Sequence, residues 1–417
     1  MNIICRSAIV LFLSSTAIAA DGSTGLNASM ISQVKQRLED SAQLRFVWEL
    51  GTRIQTLLEL DTPSFSVFSE DFPSPRNAPN SLDDVIGISR NIVQSKTAGE
   101  LPLMPDGSAA DPASNGVGVL IANWTGASGG NYAQAAADQL TFLLTITPRA
   151  PNGAISHRAD EAQLWSDFVY MVPPFLAYYG VLTDNQTLVE ESYNQIKLYR
   201  DVLADDTGMW QHIRLGSFED RGYWSTGNGW AAMGMLRVLV TIRGSQWSRS
   251  MRKHVSDLEN WTEEILNAMW PKLYGSIQTN QGMFYNYADD SSTFQDAASA
   301  ALIAASTYRL SLVSGIHTHL PSAERVHAAL SNVGPSTNPN ARVTPDGWLT
   351  PVVNPHSFGE EGQESAEGQA FVLQMHAAWA DWVMDGRQGA NSAKRTCGAA
   401  RWLVVLGVLV GVLGVGA

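Results

Sequence analysis

Cysteine is almost absent. The 417-residue chain has two, Cys5 and Cys397, and each falls in a terminal segment that reads as removable. Disulfides are therefore excluded as the framework of the fold. Stability has to come from a large apolar core, which a chain of this length at 45% hydrophobic residues can supply. Basic residues are scarce too: 27 Lys and Arg against 40 Asp and Glu give a formal charge of -13. That balance argues against nucleic acid, or any extended polyanion held by a basic surface, as the partner. Metal-ligand spacing is also missing. The 8 His residues are scattered, none forms His-x-x-x-His, and His317-Thr-His319 has no partner cluster, so neither a metal nor another cofactor is expected. Gly227-Asn228-Gly229 lacks the third glycine and the preceding strand of a nucleotide-binding loop.

Apolar runs mark the two ends. "MNIICRSAIVLFLSSTAIAADG" joins one Arg, an apolar run and the small triplet Ala17-Ile18-Ala19, the layout of a secretory signal over residues 1–19. "GANSAKRTCGAARWLVVLGVLVGVLGVGA" places small residues, a basic spacer and an uncharged apolar tail over residues 389–417. This is the layout of a glycosylphosphatidylinositol attachment signal, with Gly389, Ala390, Asn391 and Ser392 as possible anchor sites. A transmembrane anchor is the alternative, although the tail is marginal for a span. The expectation is a secreted domain over 20–388 that meets the membrane only through a lipid. Sequons at Asn27, Asn123, Asn185 and Asn260 would be glycan acceptors there.

Between the ends, long segments such as "QTLVEESYNQIKLYRDVLAD" carry helical rather than strand periodicity, so the fold class is all α. Long loops rich in Pro, Gly and Ser separate them, of a length that is usually functional. A weak repeat links "TGMWQH", "QGMFYN" and "PDGWLT": each sets a glycine (Gly208, Gly282, Gly347) before an apolar pair, and a helix rich in Ala, Gly and Ser follows. Helical hairpins at such a period stack into an array. Ten to twelve helices would close a toroid of six hairpins, with an open solenoid as the alternative.

Two stretches carry candidate chemistry. In "LWSDFVYMVPPFLAYYG" the positions Leu164, Phe168, Met171 and Phe175 fall on one helix face, with Asp167 at its edge. A carboxylate there is either a hydrogen-bonded structural group or an acid in a cavity with a raised pKa. Trp165, Phe168 and Tyr170 offer flat surface for a sugar ring, and Pro173-Pro174 should break or kink the helix. In "WSTGNGWAAMGML" Gly227 and Gly229 would leave peptide N–H groups open where a helix starts at Trp230, flanked by Trp224 and Trp230. The plain alternative is a capped turn, with Asn228 or Ser225 capping, and two core tryptophans.

Together, Asp167, "GMWQH" ending in His212, and "WSTGNGW" resemble the unsaturated rhamnogalacturonyl hydrolases of glycoside hydrolase family 105 and, more distantly, the unsaturated glucuronyl hydrolases of family 88. The match in motif order runs from about residue 130 to 380. The resemblance implies an (α/α)6 barrel that hydrates the C4–C5 double bond of a terminal unsaturated uronic acid in pectin-derived oligosaccharides. It implies Asp167 as the acid/base, with Trp165, His212, Trp224, Thr226, Asn228 and Trp230 in the substrate pocket. One acid/base carboxylate suffices, unlike the flanking pair of ordinary glycoside hydrolysis. The family also carries an upstream acidic residue, for which Asp111 is the candidate. At Thr226 the family pattern has an arginine that holds the substrate carboxylate, a contact no hydroxyl replaces. Either Arg214 or Arg221 reaches in, or the substrate has no carboxylate there. Another cell-wall glycosidase or transglycosylase on the same barrel, or a non-catalytic carbohydrate-binding protein, are the competing readings. Asp205-Asp206 and Asp289-Asp290 read as solvated turns rather than a catalytic pair.

Overall fold

The computed structural model describes residues 25–42, 47–273, 282–335 and 337–390. The expected signal, both cysteines and the attachment signal beyond residue 390 lie outside them. Among the described residues, helices come in six successive hairpins. The first is α1 (Ala28–Ser41) with α2 (Val47–Leu60), and the second is α3 (Asp83–Ser95) with α4 (Asp111–Ser114) and its continuation α5 (Gly116–Trp124). Then come α6 (Tyr132–Thr141) with α7 (Phe168–Leu182), and α8 (Gln186–Leu203) with α9 (Ser225–Gly244). The last two are α10 (Arg252–Met269) with α11 (Ala297–Ser314), and α12 (Leu320–Leu330) with α13 (Ala366–Met384).

Composition assigns each partner its layer. The first helix of a hairpin is amphipathic, as in α10, which buries Val255, Leu258, Ile265, Leu266 and Met269 along one stripe. The second is apolar or small all round, as in α11, where every residue from Ala297 to Ser311 is buried. Helices of the second kind can only be stable inside, and they form a closed ring: α2 meets α4 and α5, α5 meets α7, then α9, α11 and α13 follow, and α13 returns to α2. The first-kind helices coat this ring. The all-α six-hairpin toroid read from the sequence is the fold.

Because each inner helix is entered from an outer one, the entry loops gather at one end of the ring. Three small antiparallel ribbons stiffen that end: β1 (Gln163–Trp165) with β2 (Ile213–Leu215), β3 (Phe284–Tyr285) with β4 (Gln295–Asp296), and β5 (Val352–Asn354) with β6 (Ser357–Gly362). The repeat glycines Gly208, Gly282 and Gly347 sit in these loops at φ 83°, 53° and 95°, a backbone region that L side chains avoid.

Three local expectations are corrected. Leu164 belongs to strand β1, so it does not share a helix face with Phe168, Met171 and Phe175. Pro173-Pro174 does not break α7, which continues to Leu182. The carbonyl of Val169, deprived of a donor by Pro173, faces Gly234 of α9, where a Cβ would lie 2.2 Å from it. The bare glycine lets the two inner helices meet at the site of the missing bond. Finally, α9 begins at Ser225 rather than Trp230. Ser225 N donates to the Asn286 carbonyl at 2.8 Å and its Oγ to the Tyr285 carbonyl at 2.6 Å, so the β3 ribbon fixes the start one turn early.

Candidate active site

Side chains at the starts of the inner helices enclose a cavity of about 310 Å³ at the entry-loop end. Trp48 comes from α2, Asp111 from α4, Asp167 from the residue before α7, Trp224 from the residue before α9, and Glu367 from α13. The entry loops add Asp106, Ser108, His157, Arg158, Trp165, His212, Pro355, His356 and Phe358. A ring of helix N-termini favours carboxylates at these positions and suits an anionic or hydroxyl-rich ligand.

Ribbon β1–β2 sets the centre. Trp165 pairs with Ile213, and Ser166 N donates to the His212 carbonyl at 2.9 Å. Asp167 and His212 are thereby brought face to face: Asp167 Oδ2 lies 3.6 Å from His212 Nε2, with the carboxylate side chain 14% exposed and the imidazole wholly buried. That separation is an electrostatic contact rather than a hydrogen bond, and among the described residues Nε2 has no hydrogen-bond partner. On the far side, His212 Nδ1 is 2.9 Å from Asp220 Oδ2, which also accepts from Tyr287 Oη at 2.5 Å. Burial pulls the His212 pKa down, but carboxylates on both sides outweigh it and raise it above its ordinary value. Burial likewise pushes Asp167 up and is outweighed by His212, leaving its pKa lowered.

Asp111 is the opposite case. Burial, then the charges of Asp106 and Asp167, raise its pKa well above the ordinary carboxylate value. Asp111 Oδ1 is 3.8 Å from His157 Nε2, and burial lowers that imidazole to about 4. His157 stacks on Trp165 at 4.9 Å between ring centroids. Glu367, hydrogen-bonded by Trp48 Nε1 at 2.5 Å, is also raised well above its ordinary value by burial and then by Glu49. One cavity thus holds an ionised Asp167 and two carboxyls that favour the neutral form. Environments that separate pKa values in this way are how acid and base roles are divided.

Of the pocket residues expected from the sequence, Asp167, Trp165, His212 and Trp224 line the cavity, and so does Asp111. Three do not. Thr226 is fully buried and donates to Asp296 Oδ2 at 2.8 Å. Asn228 Oδ1 accepts from Trp210 N at 2.8 Å, and its Nδ2 donates to the Trp210 and Trp224 carbonyls at 3.0 Å each. Trp230, also fully buried, packs edge-on against Tyr170 and Phe371. The early start of α9 explains this, because it turns these residues into the wall behind Trp224. Phe168 and Tyr170 are core as well: Phe168 stacks on Tyr199 at 4.1 Å and Tyr170 lies under Arg237. Neither Arg214 nor Arg221 reaches the cavity, since both are bonded to Glu219. The pairs Asp205-Asp206 and Asp289-Asp290 lie outside it too. All four sequon asparagines are exposed.

Sequence reading missed His157, Arg158, Asp106, Glu367 and the Pro355–Phe358 segment. A signal existed for some of them. Asp111, His157, His212 and Asn286 each stand four residues after a turn glycine (Gly107, Gly153, Gly208 and Gly282). The repeat therefore extends two hairpins further upstream, and its fourth position delivers polar groups to the entry-loop end.

Comparison with known proteins agrees with this architecture. The model of Glycosyl Hydrolase Family 88 matches residues 90–350. A curated relative, unsaturated rhamnogalacturonyl hydrolase YesR of Bacillus subtilis (strain 168), is 24% identical over 183 residues, 42% of this chain and 50% of the relative. The chain thus spans about half the length of that relative. Among solved structures, a possible member of family GH105 from Klebsiella pneumoniae superposes with a TM-score of 0.65 at 15% identity, covering 90% of this chain and 99% of its own. The unsaturated glucuronyl hydrolase of Bacillus sp. GL1 does so with a TM-score of 0.56 at 11% identity, covering 86% and 96%.

Proposed function

The chain belongs to glycosyl hydrolase family 88, and from that premise we propose that it releases a terminal unsaturated uronic acid from pectin-derived oligosaccharides by hydrating the C4–C5 double bond. The observation that carries this reading is the Asp167 carboxylate at the cavity, with the His212 imidazole 3.6 Å behind it.

In the free site His212 keeps Asp167 ionised. Entry of the substrate carboxylate adds negative charge nearby and favours protonated Asp167. Asp167 then gives its proton to C4, and positive charge develops at C5 and the ring oxygen. The resulting carboxylate takes a proton from the water that attacks C5. The hemiketal so formed opens its ring, and the exposed hemiacetal at C1 releases the remaining sugar. Trp165 and Trp224 offer apolar faces to the sugar ring, while neutral Asp111 can donate a hydrogen bond to one of its hydroxyls.

We further infer that residues 20–388 form the mature domain, released by a signal at 1–19 and anchored through a lipid attached within 389–392. Exposure of Asn27, Asn123, Asn185 and Asn260 supports their use as glycan acceptors in that compartment.

The test is to mix the protein with an unsaturated rhamnogalacturonan disaccharide and follow the ultraviolet absorbance of the conjugated double bond. Decay with the wild type is expected. A folded protein that leaves the absorbance constant would overturn this function and point to neutral wall polysaccharides.

A further inference from the structure

An acidic cavity that accepts an acidic sugar needs a cation, and position 226 does not provide it. The Thr226 hydroxyl is spent on Asp296, whose two oxygens also accept the backbone N–H groups of Ala298, Ser299 and Val353. A side chain at 226 is aimed into this buried cluster and away from the cavity.

Elimination leaves one group. Among the described residues lining the cavity, Arg158 is the only Lys or Arg. The imidazole of His157 favours its neutral form, and His212 is already engaged by Asp167 and Asp220. His356 lies 3.5 Å from Glu49. Arg158 is held by its backbone, through a bridge to Ser108 and a hydrogen bond from its N–H to Ser156 Oγ at 3.0 Å. Its guanidinium lies across Gly107, where a Cβ would come within 3.0 Å of Nη2. The only ion pair it makes among the described residues is with Asp160, at 3.7 Å to a side chain that is 75% exposed. A pair that long and that solvated holds a guanidinium weakly. A planar guanidinium is thus anchored at the cavity wall, close enough to Asp106 and Asp111 to act on them by charge but with no hydrogen bond to either among the described residues, so that its fork can be taken by a carboxylate.

We propose that Arg158 receives the substrate carboxylate and sets the preference of the site for an acidic over a neutral sugar; this rests on the reaction proposed above. The role that the family motif gives to an arginine after Trp224 passes here to an arginine in the loop before β1.

The test compares two substrates, an unsaturated uronyl disaccharide and its uronate methyl ester, in wild type, Arg158→Ala and Arg158→Lys. Arg158→Ala is expected to lower kcat/KM for the acid by about 30-fold, mainly through KM, and to leave the ester within about twofold. Arg158→Lys should recover part of the loss. Equal losses on acid and ester, or none on the acid, would overturn the assignment. Calorimetric titration of the acid disaccharide into the Asp167→Asn protein, with and without Arg158→Ala, separates this from the reaction itself. Binding that depends on Arg158 in a protein whose wild type never turns over would refute the reaction and keep Arg158. Absence of binding to the Asp167→Asn protein that retains Arg158 would overturn both.

Discussion

Two sets of buried carboxylates inside the ring are treated in opposite ways by their surroundings. Away from the entry-loop cavity, Glu59 of α2 takes Arg237 Nη2 on one oxygen at 2.7 Å and Arg309 Nη2 on the other at 3.0 Å. Arg309 also pairs with Asp381, and Arg237 lies 4.2 Å over the Tyr170 ring. At the entry-loop end, no guanidinium is bonded to Asp111, Asp167 or Glu367 among the described residues. Burial of charge therefore does not mark the active site. What marks it is compensation left incomplete, so that protonation can still change.

The sharpest test of that contrast is Asp167→Asn. The shape of the cavity is kept and the exchangeable proton is lost, so turnover should fall by about 10⁴-fold, ~5 kcal/mol of barrier, while stability falls only by the lost attraction between Asp167 and His212, about 1 kcal/mol. Glu59→Ala should do the reverse. It leaves two buried guanidiniums without their shared partner, and denaturant titration should show a loss of about 4 kcal/mol. Activity per folded molecule should stay within about twofold, and a selective loss of activity would break the comparison.

His212→Asn probes the tuning. Asp167 must be protonated to act as an acid, and His212 holds its pKa down. Removing the imidazole raises that pKa, so the fall of kcat/KM with rising pH should move to higher pH, at a reduced maximum. A limb that stays in place would show that His212 does not set it. Smallest in energy is Asp111→Asn. The folded protein holds a proton on Asp111 above the ordinary carboxylate pKa, so stability declines as pH rises through that interval. Asparagine has no such titration. The variant should gain about 1 kcal/mol at neutral pH while losing turnover, and the gain should vanish below the ordinary carboxylate pKa.

Much of this was open to reading from the chain. The two kinds of helix differ in pattern over whole elements: α10 has one apolar stripe and α11 has none, because its residues are small and apolar all round. Asp167 stood out at the edge of an apolar helix face and in a motif that resembles a family's, although Leu164 proved not to share that face, and two of the long loops do line the cavity, through Asp106–Asp111 and Pro355–Phe358. The errors at Trp230 and at Pro173-Pro174 have a common origin. Local rules placed a helix start and a helix break where hydrogen bonds from β3 and the bare backbone of Gly234, both distant in sequence, decide otherwise.

By itself, then, the sequence determined the layers and the hairpin period, because periodicity and turn glycines act over a few residues; the Asp167 carboxylate was singled out by the resemblance of its motif to a family. Only the tertiary structure decided which partners that carboxylate meets. His212, Asp111, Arg158 and Glu367 arrive from different hairpins, and closure of the ring, not any local spacing, brings them to one cavity. The pKa shifts of Asp167, His212, Asp111 and Glu367 arise from burial and from nearby charge, neither of which exists until the ring is closed.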